Sequence, residues 1–598
     1  MMRRKSIPKY GWLLSLFLAI DVDASNETNG PAGINSAIVP YTGDGISIGQ
    51  VELRRPGKFG FDNASNSNFG TVPTEVYLLD DRVAPIPNAL NEIYDLNGDP
   101  HATWVAGVMI STDPVAPGVA PDAQLYATHG TFDAVPAIPT FDSLAISSQF
   151  IATRDNGNVR AINMSFGVPF GVGRGPDGDS KLTQFVDWSA RQHDILYVVA
   201  NRNDFTLAGI GQPMDNFNGM TVAASAKVGG VYRQVADFVD LSVDAEGDRT
   251  SIDILAPGAS VAVADVGGDI DPPVVSGSSF AAPHVTGTVA LLQEHAENQI
   301  MNVGAPRWTA NARRHEVMKA VLMNSADKII DDGTFTIPGD AGPAPPGTFL
   351  GMERTVIDQQ GMNWLQSDAY IDEFIPLDEQ MGAGHLNAKR ALQQFSPGEY
   401  DSDGADVPLI GWDYGHTAGE DDHNKYAFSQ PLLGGSFLSI TLAWDRHVEF
   451  QTDTAPFNEF NIGDTFQPSM SPAFAPENDD QINDLDIHLL PKGALNLGAE
   501  IATSFSAVGT LEHLFFRIPE TGEYEFWINQ FDADIAGGQD YAVAWWAATV
   551  ANPNPEQGDY SGNGTVGPED YDIWVANFGS TTMLDADGNG NGIVDAAD

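Results

Sequence analysis

Between about residues 44 and 395, short apolar runs alternate with longer segments whose apolar residues fall three or four apart. ISIGQV (46–51), AINMSF (161–166), ILYVVA (195–200), MTVAAS (220–225) and IDILAP (252–257) are apolar almost throughout, as parallel strands covered on both faces should be. HATWVAGVMIS (101–111), SSFAAPHVTGTVALLQEHAE (278–297) and HEVMKAVLMNSA (315–326) carry the helical period. This rhythm predicts an α/β domain on a parallel sheet. Near residue 396 the helical period stops. SFLSITLAW (436–444), DLDIHLL (484–490), HLFFRI (513–518), GEYEFWINQF (522–531) and DYAVAWWAAT (540–549) alternate as strands do, which predicts a β-sandwich domain. The Pro-rich ANPNPEQ (551–557) then leads into a tail of Gly, Asn and Asp. The expected divisions are 25–398, 399–550, a linker at 551–558, and the tail at 559–598.

The first residues have a different layout. Arg3, Arg4, Lys5 and Lys9 precede GWLLSLFLAI (11–20), followed by Val22-Asp23-Ala24, the pattern of a secretory signal peptide cleaved after Ala24. An uncleaved N-terminal anchor is the other reading. No later segment reaches 18 uninterrupted apolar residues, so no membrane span is expected after signal removal. The expected location is extracellular, secreted or at the cell surface. Composition narrows the partners. Against 29 Lys plus Arg stand 81 Asp plus Glu, a net charge of -52, which repels nucleic-acid phosphate and anionic membranes alike. That excess serves either solubility in a salty or calcium-containing medium or the holding of cations by carboxylate clusters. With no cysteine, a thiol nucleophile and a disulfide framework are both excluded.

The segment SGSSFAAPHVTG (276–287) carries the most chemistry. A small-residue turn delivers Ser279 to the start of a helix, where unpaired backbone N–H groups and the positive dipole end face whatever sits on the hydroxyl. Pro283 is expected in the first turn, where its missing N–H matters little. GSSFAAPHVTG resembles the nucleophile motif of the subtilisin-like serine proteases, Gly-Thr-Ser-Met-Ala-x-Pro-His, with Ser278 for Thr and Phe280 for Met. The resemblance makes Ser279 the nucleophile and His284 a packing residue. HATWVAGVMIS resembles the family's His-Gly-Thr-His-Val-Ala-Gly helix and puts His101 in the place of the general base, with Ala102 for Gly and Trp104 for the second His. A serine hydroxyl needs such a base, because it is a weak nucleophile until a neutral imidazole takes its proton. VVANRND (198–204) aligns with the family's Ala-Ala-Gly-Asn strand end, implying Asn203 as the oxyanion-hole amide, with Asn201 a nearby alternative. GVAPDAQLYA (118–127), NMSFG (163–167), APGASV (256–261) and GAGHLNA (382–388) extend the likeness over about 44–395. It implies that Ser165, Phe166 and Gly167 bind an extended substrate peptide along an edge.

One position departs from the family in a way that matters. Where its third catalytic residue, an Asp, ends the first core strand, ISIGQVELRRPG places Glu52. Glu keeps the charge that orients the imidazole but adds a methylene. Either Glu52 serves, or Asp44, Asp80 or Asp81 reaches His101, or the protein is a degenerate subtilase kept for binding or scaffolding.

The β-rich region resembles the C-terminal sandwich of certain alkaline subtilases around ITLAWD (440–445), NDLDIHLL (483–490) and GEYEFWI (522–528). Its acidic run, Asp479, Asp480, Asp484 and Asp486, reads equally as a calcium site and as a solvated loop. In the tail, Asp559, Ser561, Asn563, Thr565 and Asp570 stand at calcium-loop spacing with Gly564 at the turn, and Asp587, Asn589, Asn591, Ile593 and Asp598 repeat the pattern. YDIWVANF (571–578) can form one helix between them. Two such loops resemble a dockerin module, which implies structural calcium and a cohesin-like or surface partner. The chain stops at Asp598, where a second exit helix would begin, so a truncated module is expected. The combined expectation is a secreted serine endopeptidase acting on proteins or peptides through an acyl-enzyme, without an organic cofactor.

Overall fold

The computed structural model describes residues 28–31, 33–53, 55–56, 74–80, 84–87, 98–130, 140–170, 175–203, 210–235, 249–264, 274–302, 307–331, 350–402, 404–420, 422–451, 459–461, 463–466, 482–532, 538–548, 573–575 and 577. The expected leader and all ten tail positions assigned to calcium lie outside these residues. Of the helix expected over 571–578, residues 573–575 and 577 are helical.

Among the described residues, ten strands form one sheet. In chain order they are β1 (Ser47–Glu52), β2 (Thr74–Asp80), β3 (Ala84–Pro87), β4 (Gln124–His129), β5 (Val159–Met164), β6 (Leu196–Ala200), β7 (Met220–Val228), β8 (Val231–Gln234), β9 (Ile254–Pro257) and β10 (Val356–Ile357). Across the sheet the order is β10-β8-β7-β6-β5-β1-β4-β2-β3, with β9 also paired to β7. Strands β2, β4, β1, β5, β6 and β7 run parallel in succession, as does β9 beside β7, whereas β3 pairs antiparallel with β2 and β8 with β7. Parallel neighbours cannot be joined by tight hairpins, so their connections cross over the faces of the sheet. The principal helices are α1 (Pro100–Ile110), α2 (Thr140–Ala152), α3 (Lys181–His193), α4 (Ser278–Met301), α5 (His315–Asn324) and α6 (Ala388–Phe395). Apolar residues of α1, α4 and α5 cover one face together with Ile48, Val198 and Val222. Those of α2 and α3 cover the other with Val51, Ile162 and Val199. Burial on both faces is why these strands read as continuous apolar runs.

Two four-stranded sheets follow. Their strands are β11 (Ile410–Thr417), β12 (His423–Ala427), β13 (Phe437–Trp444), β14 (Asp484–Pro491), β15 (Ala502–Ser504), β16 (Leu511–Arg517), β17 (Tyr524–Asp532) and β18 (Gln539–Ala547). One sheet has the order β11-β18-β13-β16 and the other β12-β17-β14-β15, with every pairing antiparallel. They share a core of Leu438, Ile440, Leu442, Ile487, Phe526 and Trp545 among others. The opposite face of β13 is buried too. Phe437 and Trp546 pack with Leu255, Ile329 and Trp364 of the parallel-sheet unit, and Ser439 Oγ donates to Asn324 Oδ1 at 2.8 Å. Arg446, just past β13, is fully buried and reaches Asp179 Oδ1 at 2.6 Å and the Gly178 carbonyl at 2.9 Å. Among the described residues no helix is long and apolar enough to cross a membrane.

Candidate active site

The start of α4 is shaped by Gly277, whose φ of 150° lies in a region that residues with a Cβ rarely enter. A Cβ there would also lie 3.3 Å from Asn203 Nδ2. The backbone N–H of Ser278 donates to Asn203 Oδ1 at 2.8 Å, and Ser278 Oγ donates to the Asn201 carbonyl. These bonds tie the loop after β6 to the first residues of α4. Asn203 is exposed and Asn201 is buried, its Oδ1 accepting from the Arg202 N–H at 2.7 Å. Of the two amides, Asn203 therefore stands at the surface beside the nucleophile turn.

Ser279 is 9% exposed, and its hydroxyl lies 3.4 Å from the Ser165 carbonyl. In return, Ser165 Oγ donates to the Ser279 carbonyl at 2.8 Å. This second bond corrects the expectation for Pro283. The helix begins at Ser278, so Pro283 is past the first turn. The N–H that proline lacks would have served the carbonyl four residues back, that of Ser279. Ser165 Oγ takes its place. A side chain read from sequence only as part of a substrate edge thus also completes the nucleophile helix. Ser165 and Phe166 follow the end of β5 and are buried, whereas Gly167 is exposed. Val168 and Gln212 exchange backbone hydrogen bonds at 2.8 Å in both directions, bracing this segment.

His101 is the second residue of α1, and Glu52 is the last of β1. Gln50 Nε2 donates to the Ala102 carbonyl at 2.8 Å, pinning the first turn of α1 to β1. The Glu52 carbonyl accepts from the Gly130 N–H at 2.8 Å. In this frame His101 Nδ1 lies 3.7 Å from Glu52 Oε2, with side-chain exposures of 36% and 3%. That is beyond hydrogen-bond length and within ion-pair reach; catalytic contacts in a free site often tighten only around substrate. The His101 ring also packs 5.5 Å from the ring of Phe280, the residue after Ser279. Of the other acids weighed, Asp44 is exposed, and its backbone N–H donates to Glu294 Oε2 at 3.1 Å. Asp81 and the side chain of Asp80 lie outside the described residues.

Sequence reasoning passed over His129. It is the in-register partner of Glu52 across β1 and β4, and it is buried. Neighbours in register on parallel strands project to the same face, so the QLYATH run, matched to ISIGQVE, could have shown it. His284 is fully buried with Nδ1 2.7 Å from the Phe280 carbonyl, and burial pushes its pKa down to about 4. It is a neutral packing group. In the two-sheet unit, Asp486 is pushed up to about 8, first by burial and then by Asp484; Asp479 and Asp480 lie outside the described residues.

The candidate groups thus stand at the C-terminal ends of β1 and β6 and at the starts of α1 and α4, the edge where open α/β sheets place ligands. Residues 77–346 match a family model described as the Subtilase family. The match includes His101, Ser165, Asn203 and Ser279 and begins after Glu52. An alkaline proteinase from Hapsidospora chrysogena is 27% identical over 259 residues, 41% of this chain and 58% of that protein. Subtilisin DY from Bacillus licheniformis is 30% identical over 213 residues, 34% of this chain and 66% of that protein. The chain therefore spans less than two thirds of either relative. Fervidolysin from Fervidobacterium pennivorans, a solved structure, is 14% identical with a TM-score of 0.40, covering 88% of this chain and 81% of its own.

Proposed function

We propose that this chain, which carries a subtilase-family domain, is an exported serine endopeptidase that cleaves extended peptide segments by way of an acyl-enzyme. The observation that carries the reading is the meeting of a buried carboxylate, an imidazole and the nucleophile turn: Glu52 stands 3.7 Å from His101, and the His101 ring packs on Phe280 beside Ser279. In the proposed reaction His101 accepts the Ser279 proton as the hydroxyl attacks the scissile carbonyl, then passes it to the leaving amine. Glu52 holds the ring and stabilises its protonated form. The Asn203 amide and the Ser279 backbone N–H meet the oxygen that becomes negative, where charge stabilisation is worth most. The exposed Gly167 segment offers its backbone to the substrate as an added strand.

Export rests on the leader pattern at 1–24. The tail loops are proposed to bind calcium, and through it a cohesin-like or surface partner, on their spacing alone. Incubation of the folded chain with an unfolded protein tests the peptidase reading. Cleavage is expected, with turnover falling about 10⁶-fold in Ser279→Ala, the scale known for subtilisin itself. Absence of cleavage, or equal cleavage by Ser279→Ala, would overturn it in favour of a binding or scaffold protein.

A further inference from the structure

Away from Ser279, a cavity of about 550 Å³ lies where the parallel-sheet unit meets the two-sheet unit, and Arg314, Glu316, Tyr414 and Asp445 help to line it. At its wall, His315 is buried among three carboxylates. Its Nδ1 lies 3.0 Å from Asp194 Oδ1 and 3.1 Å from Glu316 Oε2, and its Nε2 lies 3.0 Å from Asp445 Oδ1. Asp194 caps the end of α3 in a left-handed conformation with φ 56°, a position more often given to glycine or asparagine. There its Oδ1 also accepts the His315 backbone N–H at 3.0 Å.

Each ring nitrogen carries at most one hydrogen. On the Nε2 side Asp445 faces the ring alone, but on the Nδ1 side two carboxylate oxygens compete for one N–H. The hydrogen bond is made to Asp194. Glu316 Oε2, on a side chain only 6% exposed, then has no hydrogen-bond partner. The other Glu316 oxygen meets the Tyr414 hydroxyl at 3.4 Å, and Arg314 approaches Asp194 only at its second oxygen, 3.8 Å away. A buried carboxylate oxygen that the ring faces at 3.1 Å without a hydrogen bond is only partly compensated, and a divalent cation shared by both carboxylates would complete the compensation.

We propose that Asp194, His315 and Glu316 bind a divalent transition-metal ion of the zinc type, with Asp445 orienting the ligating imidazole through Nε2. The three donor atoms lie within 4.8 Å of one another. Tetrahedral bonds of about 2.0–2.1 Å require donors about 3.3 Å apart, and the Nδ1 separations of 3.0 and 3.1 Å are close to that. A carboxylate on the far nitrogen is the usual support of a metal-bound histidine. The imidazole donor selects zinc over calcium, which takes six to eight oxygens. Such an ion joins the end of α3 to the start of α5 and, through Asp445, to the two-sheet unit.

The test uses the full chain carrying Ser279→Ala, to prevent self-cleavage, stripped with a chelator and titrated with zinc at mildly alkaline pH. The pH matters because the metal must displace a proton. One zinc per chain is expected, unaffected by excess calcium and accompanied by a higher unfolding temperature. Glu316→Gln and Asp194→Asn should each abolish it, and Asp445→Asn should weaken it about 10–100-fold, with circular dichroism checking the fold of each. Absence of zinc binding, or unchanged affinity in all three variants, would overturn the site and leave His315 as an imidazolium clamp between carboxylates.

Discussion

Strand β1 of the parallel sheet and strand β13 of the two-sheet unit are both buried along their whole length, for different reasons. Ile48 and Val51 of β1 face opposite helical layers. In β13, Leu438, Ile440, Leu442 and Trp444 face the partner sheet, while Phe437, Ser439 and Thr441 face the parallel-sheet unit, where Asn324 Oδ1 accepts from both hydroxyls. Polar positions that read as solvent-facing are therefore interface positions. The parallel strands also aim their ends at one place, so that Glu52 and the loop bearing Asn203 meet the starts of α1 and α4. The antiparallel strands bury their polar groups against each other and the neighbouring unit. This contrast predicts that changes at the parallel-strand ends alter chemistry, and changes inside the two-sheet unit alter stability.

Among changes at the strand ends, the largest effect is expected from Glu52→Gln. Loss of the carboxylate should lower kcat about 10⁴-fold, the scale of the corresponding change in trypsin-type enzymes, with little change in unfolding temperature. A loss under threefold would break the contrast. Trp545→Ala, in the two-sheet core, should destabilise by about 3–5 kcal/mol in denaturant titration while the folded fraction keeps its kcat; a matching fall in kcat would show that the units are coupled. Asn203→Ala should lower kcat by about 10²–10³, equivalent to roughly 3–4 kcal/mol, leaving KM for short peptides nearly constant.

Acid sensitivity sharpens the contrast further. His284 has its pKa lowered by burial to about 4, against an ordinary 6.5, so the unfolded chain binds its proton first. Stability is full above about 6.5 and declines as pH falls towards about 4, by roughly 3 kcal/mol. Asp486 behaves in the opposite sense. Its pKa is raised from 3.8 to about 8 by burial and Asp484, so its contribution is full below about 3.8 and is lost as pH rises through about 8. His284→Gln should remove the gain in stability between about pH 4 and about 6.5, and Asp486→Asn the opposing loss between about 3.8 and about 8; a stability–pH profile unchanged by either would contradict the assignments.

The strands and helices named from the sequence match the observed ones to within a few residues, because burial on two faces and the helical period both leave direct marks, whereas α2, α3, β11 and β12 were not read. The nucleophile turn was legible because its small residues, Gly277 above all, answer local backbone demands. Pro283 was misplaced by a turn, since its tolerance depends on Ser165, a residue 114 positions from Ser279. The partnership of Glu52 with His101 could be named but not measured, because one methylene decides its reach. The His315 cluster left no trace in the sequence. Its partners Asp194 and Asp445 lie 121 and 130 positions away, and no local pattern joins them.

The most direct measurement is the reaction of the folded chain with a fluorophosphonate, read by peptide mass spectrometry. A single adduct on Ser279, formed rapidly and suppressed in His101→Ala, is the expected result. No adduct on Ser279 in correctly folded protein, or labelling that persists at the same rate without His101, would contradict it.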